Sequence, residues 1–437
     1  MSLFGIVLGL ALLIFFAFKG KSLIWAAPIC AMVVALTGGL DLLGAYTESY
    51  MTGFVGFVKD WFPTFLLSAI FGQIMEDSGA AQAITKAIVK LVGRDKAIFV
   101  SVLCGGVLAY GGISGFVIIF SMYPIVLGLF KEADISRRLI PATVMTGAFT
   151  FAMSAIPGTP TIQNLIPMKY FGTTATAAPI IGCVCAVIMF VLPIFWLGYR
   201  AKKLRLAGEG YDEPEDIPVA IADELLPNAP LCVIPFILIL ILLNVLQLNI
   251  VVCLLAGDIL ILAILYGMGA ATGRKYIENL GETFNKGCLS AVSAVMNTSA
   301  AVGFGSVVKL SPGFTTLANL VLGIQGSPLI SESIAINVLA GATGSASGGL
   351  TIALDALAPS FIQMSQASGI PLAVFHRVGS IACGGLNTLP HDGAVVTYLS
   401  YCKITHRQGY FDMFMVAGAI PIVANIVAII MGTIGIV

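Results

Sequence analysis

The sequence predicts an all-α protein that crosses a membrane many times and contains two inverted repeats. Each repeat is predicted to have five spanning helices and one re-entrant helical hairpin, with broken helices at the midplane. Of 437 residues, 58% are hydrophobic and 10% are charged, and the mean hydropathy is +1.00, whereas soluble domains carry about 25% charged residues. Several apolar runs approach the roughly 20 residues that cross a bilayer. Glycine, proline and serine interrupt these runs at matching places in the two halves.

Charged residues separate the apolar runs and so define the predicted spans. These lie near residues 3–18, 23–40, 62–78, 138–171, 178–199, 230–246, 250–266, 289–305, 372–402 and 413–436. The first run is expected to be a retained span, because its first charge, Lys19, follows the apolar segment. Two stretches, 97–130 and about 320–364, are interrupted midway and are predicted to be hairpins. Irregular backbone is tolerated at membrane depth only where protein or a cavity covers it.

Basic residues set the predicted orientation. With both termini outside, 18 of the 22 Lys and Arg residues fall in inner segments, as the positive-inside rule requires. Residues 1–199 then form the first repeat, 200–229 an acidic cytoplasmic linker, and 230–437 the second repeat. An odd number of crossings in each half makes the repeats inverted. We expect a multi-pass protein of the cell membrane, with N- and C-termini outside.

Short motifs recur in the two halves at a nearly constant separation. Phe71-Gly72-Gln73 matches Phe304-Gly305-Ser306, and Gly111-x-x-Ser114-Gly115 matches Gly344-x-x-Ser347-Gly348, both 233 residues apart. Pro124 matches Pro359 at a separation of 235, and Thr159-Pro160 matches Leu389-Pro390 at 230. Repeats with paired broken helices are typical of secondary transporters, whose substrate sites lie near the midplane.

The interruptions predict where a substrate binds. Proline and paired glycines free backbone amides and carbonyls, and helix N-termini bind anions. Ser114 and Ser347 are predicted N-caps of the helices that follow the hairpin tips. Neither tip contains Lys or Arg, so helix ends and hydroxyls, not a salt bridge, would hold a carboxylate. The predicted substrate-binding residues are Gly112, Ser114, Gly115, Thr159, Thr161, Gln163 and Asn164, with Ser345, Ser347, Gly348, Gly349, Asn387, Thr388 and His391. Alternatively, the small residues serve only close helix packing.

Ionisable residues within the apolar runs are candidate proton carriers, because a charge at membrane depth is costly. Asp392 lies in the second break, where desolvation favours a neutral carboxyl; capping of a helix is its alternative role. Asp355, beyond the second tip, is the other candidate. Glu332 and Asp258 are expected near an interface. Arg377 is expected to be an interfacial anchor, with substrate binding as the alternative.

At these residues the chain resembles the gluconate:proton symporter (GntP) family, within the ion-transporter superfamily of hairpin-containing carriers. The stretch from Phe71 to Gln82 looks like the first-half signature of that family, and the tip at 111–115 and Pro390-His391-Asp392-Gly393 are similar to it too. The resemblance implies import of small hydroxycarboxylates such as gluconate, related sugar acids, 3-hydroxybutyrate or glycerate, with protons. The tips are poor in polar residues for a sugar acid with many hydroxyls, which makes 3-hydroxybutyrate at least as good a candidate as gluconate.

Other functions are weaker interpretations. Gly112-Ile113-Ser114-Gly115 fits the pattern of rhomboid-type serine proteases, with His376 or His391 as partner, but the motif recurs in the second half, which a protease does not need. Closed hairpins disfavour a channel. Sodium is the rival coupling ion, since tips rich in Ser, Gly and Asn offer oxygen ligands. No cofactor or structural metal is expected. The expected partners are a small organic anion and the bilayer, not nucleic acid, and a homodimer is left open.

The charge count generates a topology prediction. In a cysteine-free background, a single cysteine at Ser2 should react with an impermeant maleimide in intact cells, and one at Asp212 should react only after the cells are opened. Labelling of the Asp212 variant but not of the Ser2 variant in intact cells would reverse the orientation.

Overall fold

A computed structural model describes residues 2–19, 21–93, 96–214, 221–316, 323–324, 326–390 and 392–437. Helices make up 81% of the structure, and the described residues contain no strand. Six helices in this part of the chain are long and apolar enough to cross a membrane. The predicted all-α multispanning fold is therefore confirmed. The predicted site residue His391 and residues 215–220 of the linker lie outside the described residues.

The helices follow one another with short connections. Those of the first half are α1 (Ser2–Phe18), α2 (Leu23–Gly38), α3 (Leu42–Asp77), α4 (Ala80–Val92), α5 (Ala97–Tyr110), α6 (Gly115–Glu132), α7 (Ile140–Phe149), α8 (Ile162–Phe171) and α9 (Pro179–Leu206). Those of the second half are α10 (Ala229–Asn244), α11 (Ile250–Thr272), α12 (Leu280–Leu310), α13 (Pro328–Thr343), α14 (Ala346–Ser368), α15 (Leu372–Ala382), α16 (Gly393–Tyr401) and α17 (His406–Thr433).

Local sequence explains many of the helix ends. The side chains of Asn228, Asn249 and Asn279 accept backbone N–H bonds at the first turns of α10, α11 and α12, as N-cap residues do. Glycines in the left-handed conformation end other helices, with φ of 71° at Gly39 after α2 and 73° at Gly369 after α14. Glycine adopts this conformation without the steric cost that a Cβ atom imposes.

Both predicted hairpins are present as pairs of contacting helices, and their re-entry from one side of the membrane stays a prediction. Helices α5 and α6 contact each other and are joined by residues 111–114, and α13 and α14 are joined by residues 344–345 in the same way. With 14 residues, α5 reaches about 21 Å at 1.5 Å per residue, less than the roughly 30 Å thickness of the hydrocarbon core. A hairpin with such an arm can enter and leave on one side.

Both predicted broken spans are present as well. The first consists of α7 and α8, separated by a widened turn at Phe151–Ala155 and an irregular stretch at 156–161. The second consists of α15 and α16, separated by residues 383–392. These are the Pro-Gly and Gly-Gly segments that interrupt the sequence pattern. The helical ladder stops there because proline removes a donor and glycine weakens the helix.

The order of helices recurs in the two halves. A shift of 233 residues places α5 and α6 on α13 and α14, α7 on α15, and the first break on the second. This recurrence supports the repeat found in the sequence. The inverted arrangement and the domain bounds at 199 and 230 stay predictions.

Two predicted spans were too short, since α3 covers 36 residues and α12 covers 31. Polar residues such as Lys59 and Asp60 interrupt the apolar run of α3 but not its helix.

Helices α3 and α12, which occupy equivalent places in the two halves, pack closely along each other. A Cβ atom at Gly287 of α12 would lie 3.0 Å from the Ile70 Cα atom of α3, and one at Gly303 would lie 2.9 Å from the Tyr50 backbone oxygen. Small residues at membrane helix interfaces allow backbones to approach in this way. The contact joins the halves through their third spans.

Polar contacts group the segments that the charge count places inside. Ion pairs join the linker to the region between α6 and α7: Lys131–Glu213, Arg137–Asp212 and Arg138–Glu209, at 2.8, 2.5 and 2.7 Å. The Ile221 N–H donates to the Gln82 side chain on α4 at 3.1 Å. These segments therefore lie at one end of the molecule, as a common inner side requires.

Residues that the charge count places outside also meet. Lys169 pairs with Asp60, and the Lys309 ammonium donates to the Asp355 carbonyl at 2.8 Å. Contacts within each group are consistent with the predicted grouping of these segments on two sides.

A buried ion pair at the end of α9 provides a stability prediction. The fully buried Asp412 carboxylate accepts from Arg200 Nε at 2.7 Å, from Arg200 Nη2 at 3.1 Å and from Trp196 at 3.1 Å. Replacing Asp412 with Ala should lower the free energy of unfolding by about 3–5 kcal/mol, since a largely buried guanidinium loses its partner. Thermal melting in detergent would measure this. As the control, Glu213→Ala breaks an exposed pair worth about 0–1 kcal/mol; equal shifts in the two variants would contradict the prediction.

Candidate functional site

The first break exposes carbonyl groups that a continuous helix would have satisfied. Two threonines that follow in the chain fold back onto them: the Thr159 hydroxyl donates to the Ala152 carbonyl at 2.8 Å, and the Thr161 hydroxyl donates to the Met153 carbonyl. The Ser380 hydroxyl of α15 donates to the Ser154 carbonyl at 3.0 Å. Backbone groups at membrane depth require such partners because water is not available there.

Arg377 of α15 donates hydrogen bonds to the first break, to α8 and to the loop at residues 172–178. Its side chain is fully buried, and its Nε and Nη2 atoms donate to the Ala177 carbonyl at 3.0 and 2.9 Å. Nη2 also donates to the Ala175 carbonyl at 3.2 Å, and Nη1 donates to the Ser154 carbonyl at 3.2 Å and to the Asn164 Oδ1 atom at 2.9 Å. All five donors of a guanidinium are thus engaged within the protein.

Asn164 connects this cluster to α8 and to His376. Its amide donates to the Thr159 and Ala175 carbonyls, both at 2.9 Å, and its Oδ1 atom lies 3.1 Å from His376 Nε2. The other ring nitrogen of His376 lies 2.6 Å from the Thr173 hydroxyl. His376 therefore bonds to α8 and the loop that follows it, and makes no hydrogen bond to Ser114, the partner that a serine protease mechanism would assign to it.

The positive charge of Arg377 has no acidic partner in the described part of the chain. Every acceptor of its hydrogen bonds is a neutral carbonyl or amide oxygen. Arginine stays protonated in proteins, so the junction of α15 with the first break carries a buried, uncompensated cation. The expectation that Arg377 anchors the chain at an interface was wrong. In the sequence, Arg377 stands out as a lone basic residue inside an apolar run, between His376 and the small residues that begin at Gly379.

The hairpin tips and the breaks lie against one another. At the first tip, a Cβ atom at Gly112 would lie 3.7 Å from Pro160, and the Tyr110 hydroxyl donates to the Pro157 carbonyl at 3.1 Å. The Tyr398 hydroxyl of α16 donates to the Gly115 carbonyl at 2.6 Å. The first tip therefore contacts the break of its own half and the second broken span.

The second hairpin contacts the second break in a comparable way. A Cβ atom at Gly341 of α13 would lie 2.9 Å from Leu386, and the Leu386 N–H donates to the Asn337 side chain at 3.2 Å. The two breaks also meet, since a Cβ atom at Gly384 would lie 3.6 Å from the Ser154 hydroxyl. Both breaks and the first tip thus form one connected region, and the second hairpin joins it through α13.

Helix N-termini in this region differ in their capping. Ser114 precedes α6 and Thr161 precedes α8, and neither side chain caps its helix. The N-terminus of α14 is capped by Ser345, whose hydroxyl accepts from the Gly348 N–H at 3.1 Å. The prediction that Ser347 caps α14 was therefore wrong: the helix begins one residue earlier than Ser347, because Ser345 already has the extended conformation of an N-cap.

The remaining predicted binding residues fall into two groups. Some are engaged in the structure: the Thr388 hydroxyl donates to the Ala417 carbonyl at 2.8 Å, and a Cβ atom at Gly349 would lie 2.2 Å from the Ala340 backbone. Others keep free hydrogen-bonding groups among the described residues. Ser114 and Gln163 are half-buried and make no side-chain hydrogen bond, and the amide nitrogen of the buried Asn387 donates to no described residue.

The two predicted proton carriers have different surroundings. The buried Asp392 is the N-cap of α16, where its Oδ1 atom accepts from the Ala394 and Val395 N–H groups at 2.8 and 3.0 Å. Asp355 is exposed, and its backbone carbonyl accepts from Lys309. The structure thus places one candidate at the second break and the other on an exposed face of α14.

Comparisons with known proteins define the class of protein first. The YdaH transporter of Alcanivorax borkumensis, whose crystal structure has an unusual topology, matches with a TM-score of 0.55 and 15% identity, over 88% of this chain and 87% of that chain. At this identity the match shows a shared fold, that of a membrane transporter. No protein-family profile matches the chain.

The particular family follows from a closer relative. The chain is 39% identical over 451 residues to the uncharacterized transporter YxjC of Bacillus subtilis (strain 168), and the match covers 95% of this chain and 96% of YxjC. The chain belongs to this family of transporters. Membership of the gluconate:proton symporter family stays a prediction.

The Arg377 cluster generates a second stability prediction. In Arg377→Ala the Ala177 carbonyl loses both of its side-chain donors, whereas the Ser154 and Ala175 carbonyls keep Ser380 and Asn164. The free energy of unfolding should fall by about 1–3 kcal/mol for the unsatisfied carbonyl, with a further loss from the cavity. Arg377→Lys should recover part of this. Lys309→Ala, which removes an exposed lysine–carbonyl bond, is the control in thermal melting; matching shifts for Arg377→Ala and Lys309→Ala would show that the guanidinium does not hold the break.

Proposed function

We propose that the protein is a secondary active transporter that imports a small hydroxycarboxylate, similar to 3-hydroxybutyrate or gluconate, by symport with protons and by alternating access. Membrane transport itself follows from the family. The choice of substrate and coupling ion rests on the arguments below. We further propose that it acts in the cell membrane with both termini outside.

The observation that carries the anionic substrate is the unpaired charge of Arg377. A buried cation without a counter-ion raises the electrostatic potential of the region around it, which favours a bound anion. Since all five donors of Arg377 are already engaged, the guanidinium would act through its field and not as a direct ligand. This matches the expectation that no salt bridge holds the carboxylate.

Direct contacts would come from groups that the structure leaves free. The uncapped first turns of α6 and α8 present backbone N–H groups, which favour a carboxylate through hydrogen bonds and the helix dipole. Ser114, Gln163 and Asn387 retain side-chain groups for a hydroxyl. Three such side chains suit a substrate with one or two hydroxyls better than a sugar acid with five, and therefore favour 3-hydroxybutyrate over gluconate.

We propose alternating access because of how the parts pack. The hairpins pack closely on the broken spans, since a Cβ atom at Gly147 of α7 would lie 2.8 Å from the Gly105 Cα atom of α5, and α3 and α12 pack on each other along their length. Transporters with repeats move one bundle against another around a central site. We propose that the hairpins and broken spans move as the transport unit against the α3–α12 scaffold.

Uptake by reconstituted protein tests this function. Proteoliposomes should accumulate labelled 3-hydroxybutyrate when a pH gradient, acid outside, is imposed without sodium, and gluconate should compete more weakly. Protein-free liposomes and a sodium gradient at equal pH are the controls. Accumulation that requires sodium and ignores the pH gradient would refute proton symport and favour the sodium-coupled alternative; no uptake of any hydroxycarboxylate would refute the substrate class.

Variants at the free side chains test the binding site within the same assay. Ser114→Ala and Asn387→Ala should each lower apparent affinity roughly two- to tenfold, since a hydrogen bond to a neutral hydroxyl is worth about 0.5–1.5 kcal/mol. Ser121→Ala is the matched control: Ser121 lies on α6, the helix that Ser114 precedes, and its buried hydroxyl has no partner in the described chain. Unchanged transport in both site variants would place the substrate elsewhere.

A further inference from the structure

Glu332, on the first turns of α13, is a fully buried carboxyl without hydrogen-bond partners. Its side chain has no exposed surface, and neither carboxyl oxygen has a donor within reach among the described residues. The neighbouring Ser331 hydroxyl is also buried and unpartnered. In most buried carboxyls, salt bridges or backbone N–H groups compensate the lost hydration, as they do for Asp412 and Asp392. Glu332 has neither.

The position of Glu332 is at a junction between two parts of the proposed transport unit. Glu332 faces Gly379 of α15, where a Cβ atom would lie only 3.1 Å from the Oε1 atom. Gly379 therefore makes room for the carboxyl between the second hairpin and the first arm of the second broken span. The break itself begins four residues later, at Cys383.

Charged groups on the elements packed against α13 do not reach this carboxyl. Helix α1 carries no titratable residue between 2 and 18, and α17 carries none between 420 and 433. The turn at Leu386–Thr388 also carries none. On α14 the only acidic or basic residue is Asp355, which is exposed near Lys309. On α15, His376 bonds to α8 and to Thr173, and Arg377 bonds to Ser154, to α8 and to the loop at residues 172–178. Among the described residues, Glu332 therefore has no counter-ion.

An ionised carboxylate in these surroundings would be very costly, because neither charge nor donor replaces its hydration. The carboxyl is therefore neutral, with a bound proton, in the conformation described here. A hard metal cation is a poorer occupant, since such ions take six or more oxygen ligands and this site offers one carboxyl and one hydroxyl.

A polar strip runs from Glu332 toward the second break. Ser333 bonds to Asn425 of α17, Asn337 donates to the Ser333 carbonyl at 3.0 Å, and Asn337 accepts the Leu386 N–H. These side chains line one wall of a cavity of about 510 Å³. The cavity reaches the residue next to Glu332 but not Glu332 itself. Ser333, Asn337 and Asn425 are the polar residues of this cavity, and its other lining residues are aliphatic. Separation of α13 from α15 would uncover the carboxyl, which Gly379 of α15 covers in this structure.

We propose that Glu332 carries the coupling proton, which its carboxylate accepts from water on one side and releases to water on the other when α13 and α15 separate. This inference rests on the proposed proton symport. It replaces Asp392 as the carrier, because two N–H bonds to the Asp392 carboxylate give that residue a capping role which an asparagine can also fill.

Infrared difference spectra between acid and alkaline pH test proton binding without any substrate. Protein in lipid nanodiscs should show a carbonyl stretch of a protonated carboxyl that is lost in Glu332→Gln and shifted in Glu332→Asp. Asp258→Asn is the matched control, since Asp258 is another buried carboxyl without partners but lies on α11, which packs chiefly on α3 and α10. Spectra of Glu332→Gln that match the wild type would overturn the inference.

Transport measurements test coupling separately. Glu332→Gln should lose accumulation of 3-hydroxybutyrate driven by a pH gradient and retain counterflow exchange, Glu332→Asp should recover part of the accumulation, and Asp258→Asn and Asp392→Asn should respond to the gradient as the wild type does. Loss of the response in Asp392→Asn with a normal response in Glu332→Gln would overturn the inference and leave proton symport intact. If the wild type takes up no hydroxycarboxylate, the proposed function fails, and the infrared comparison alone decides whether Glu332 binds the proton.

Discussion

The constraint on which the rest of the structure depends is that backbone carbonyls at the first break must be satisfied without water. Thr159 and Thr161 serve two of them from within the first half, whereas Arg377 and Ser380 of the second half both donate to the Ser154 carbonyl. A bond network that holds the break therefore also joins the two halves. Since a guanidinium provides five donors in one plane, a single residue can connect α15 to three segments of the first half.

The two breaks solve this common problem differently. At the second break, Thr388 donates to the Ala417 carbonyl, Tyr410 donates to the Thr388 carbonyl at 3.2 Å, and Asn337 accepts from Leu386. Ionisable groups at this break include the capping Asp392, His406, whose Nε2 atom lies 3.0 Å from the Pro390 carbonyl, and, nearby on α13, Glu332. One side of the junction thus carries a permanent cation and the other carries carboxyls, although the two halves share one order of helices.

Much of this could be predicted from the sequence, because helix interruptions depend on local composition. Proline and paired glycines located both breaks and both hairpins, and hydropathy located most spans. The burial and the hydrogen-bond partners of individual polar residues could not be predicted in this way. Arg377 and Glu332 were expected near an interface, since a lone charge in an apolar run gives no information about which partners the fold brings to it. Ser347 was expected to be an N-cap because glycine and serine surround the tip. The observed N-cap is Ser345, two residues earlier, and the choice between the two serines depends on backbone conformation.

Arg377 and Glu332 together give the proposed symport a consistent charge balance. Arg377 is always charged and moves with α15, the helix against which Glu332 packs. When a monovalent carboxylate is bound and Glu332 is protonated, the substrate compensates Arg377. When the site is empty, an ionised Glu332 on the same transport unit provides the compensating charge. The charges on Arg377, Glu332 and the substrate would then sum to zero in the loaded and in the empty state, which lowers the cost of moving them through the low-dielectric region of the membrane. A loaded carrier with ionised Glu332, or an empty one with neutral Glu332, would carry a net charge, and this difference couples the proton to the substrate.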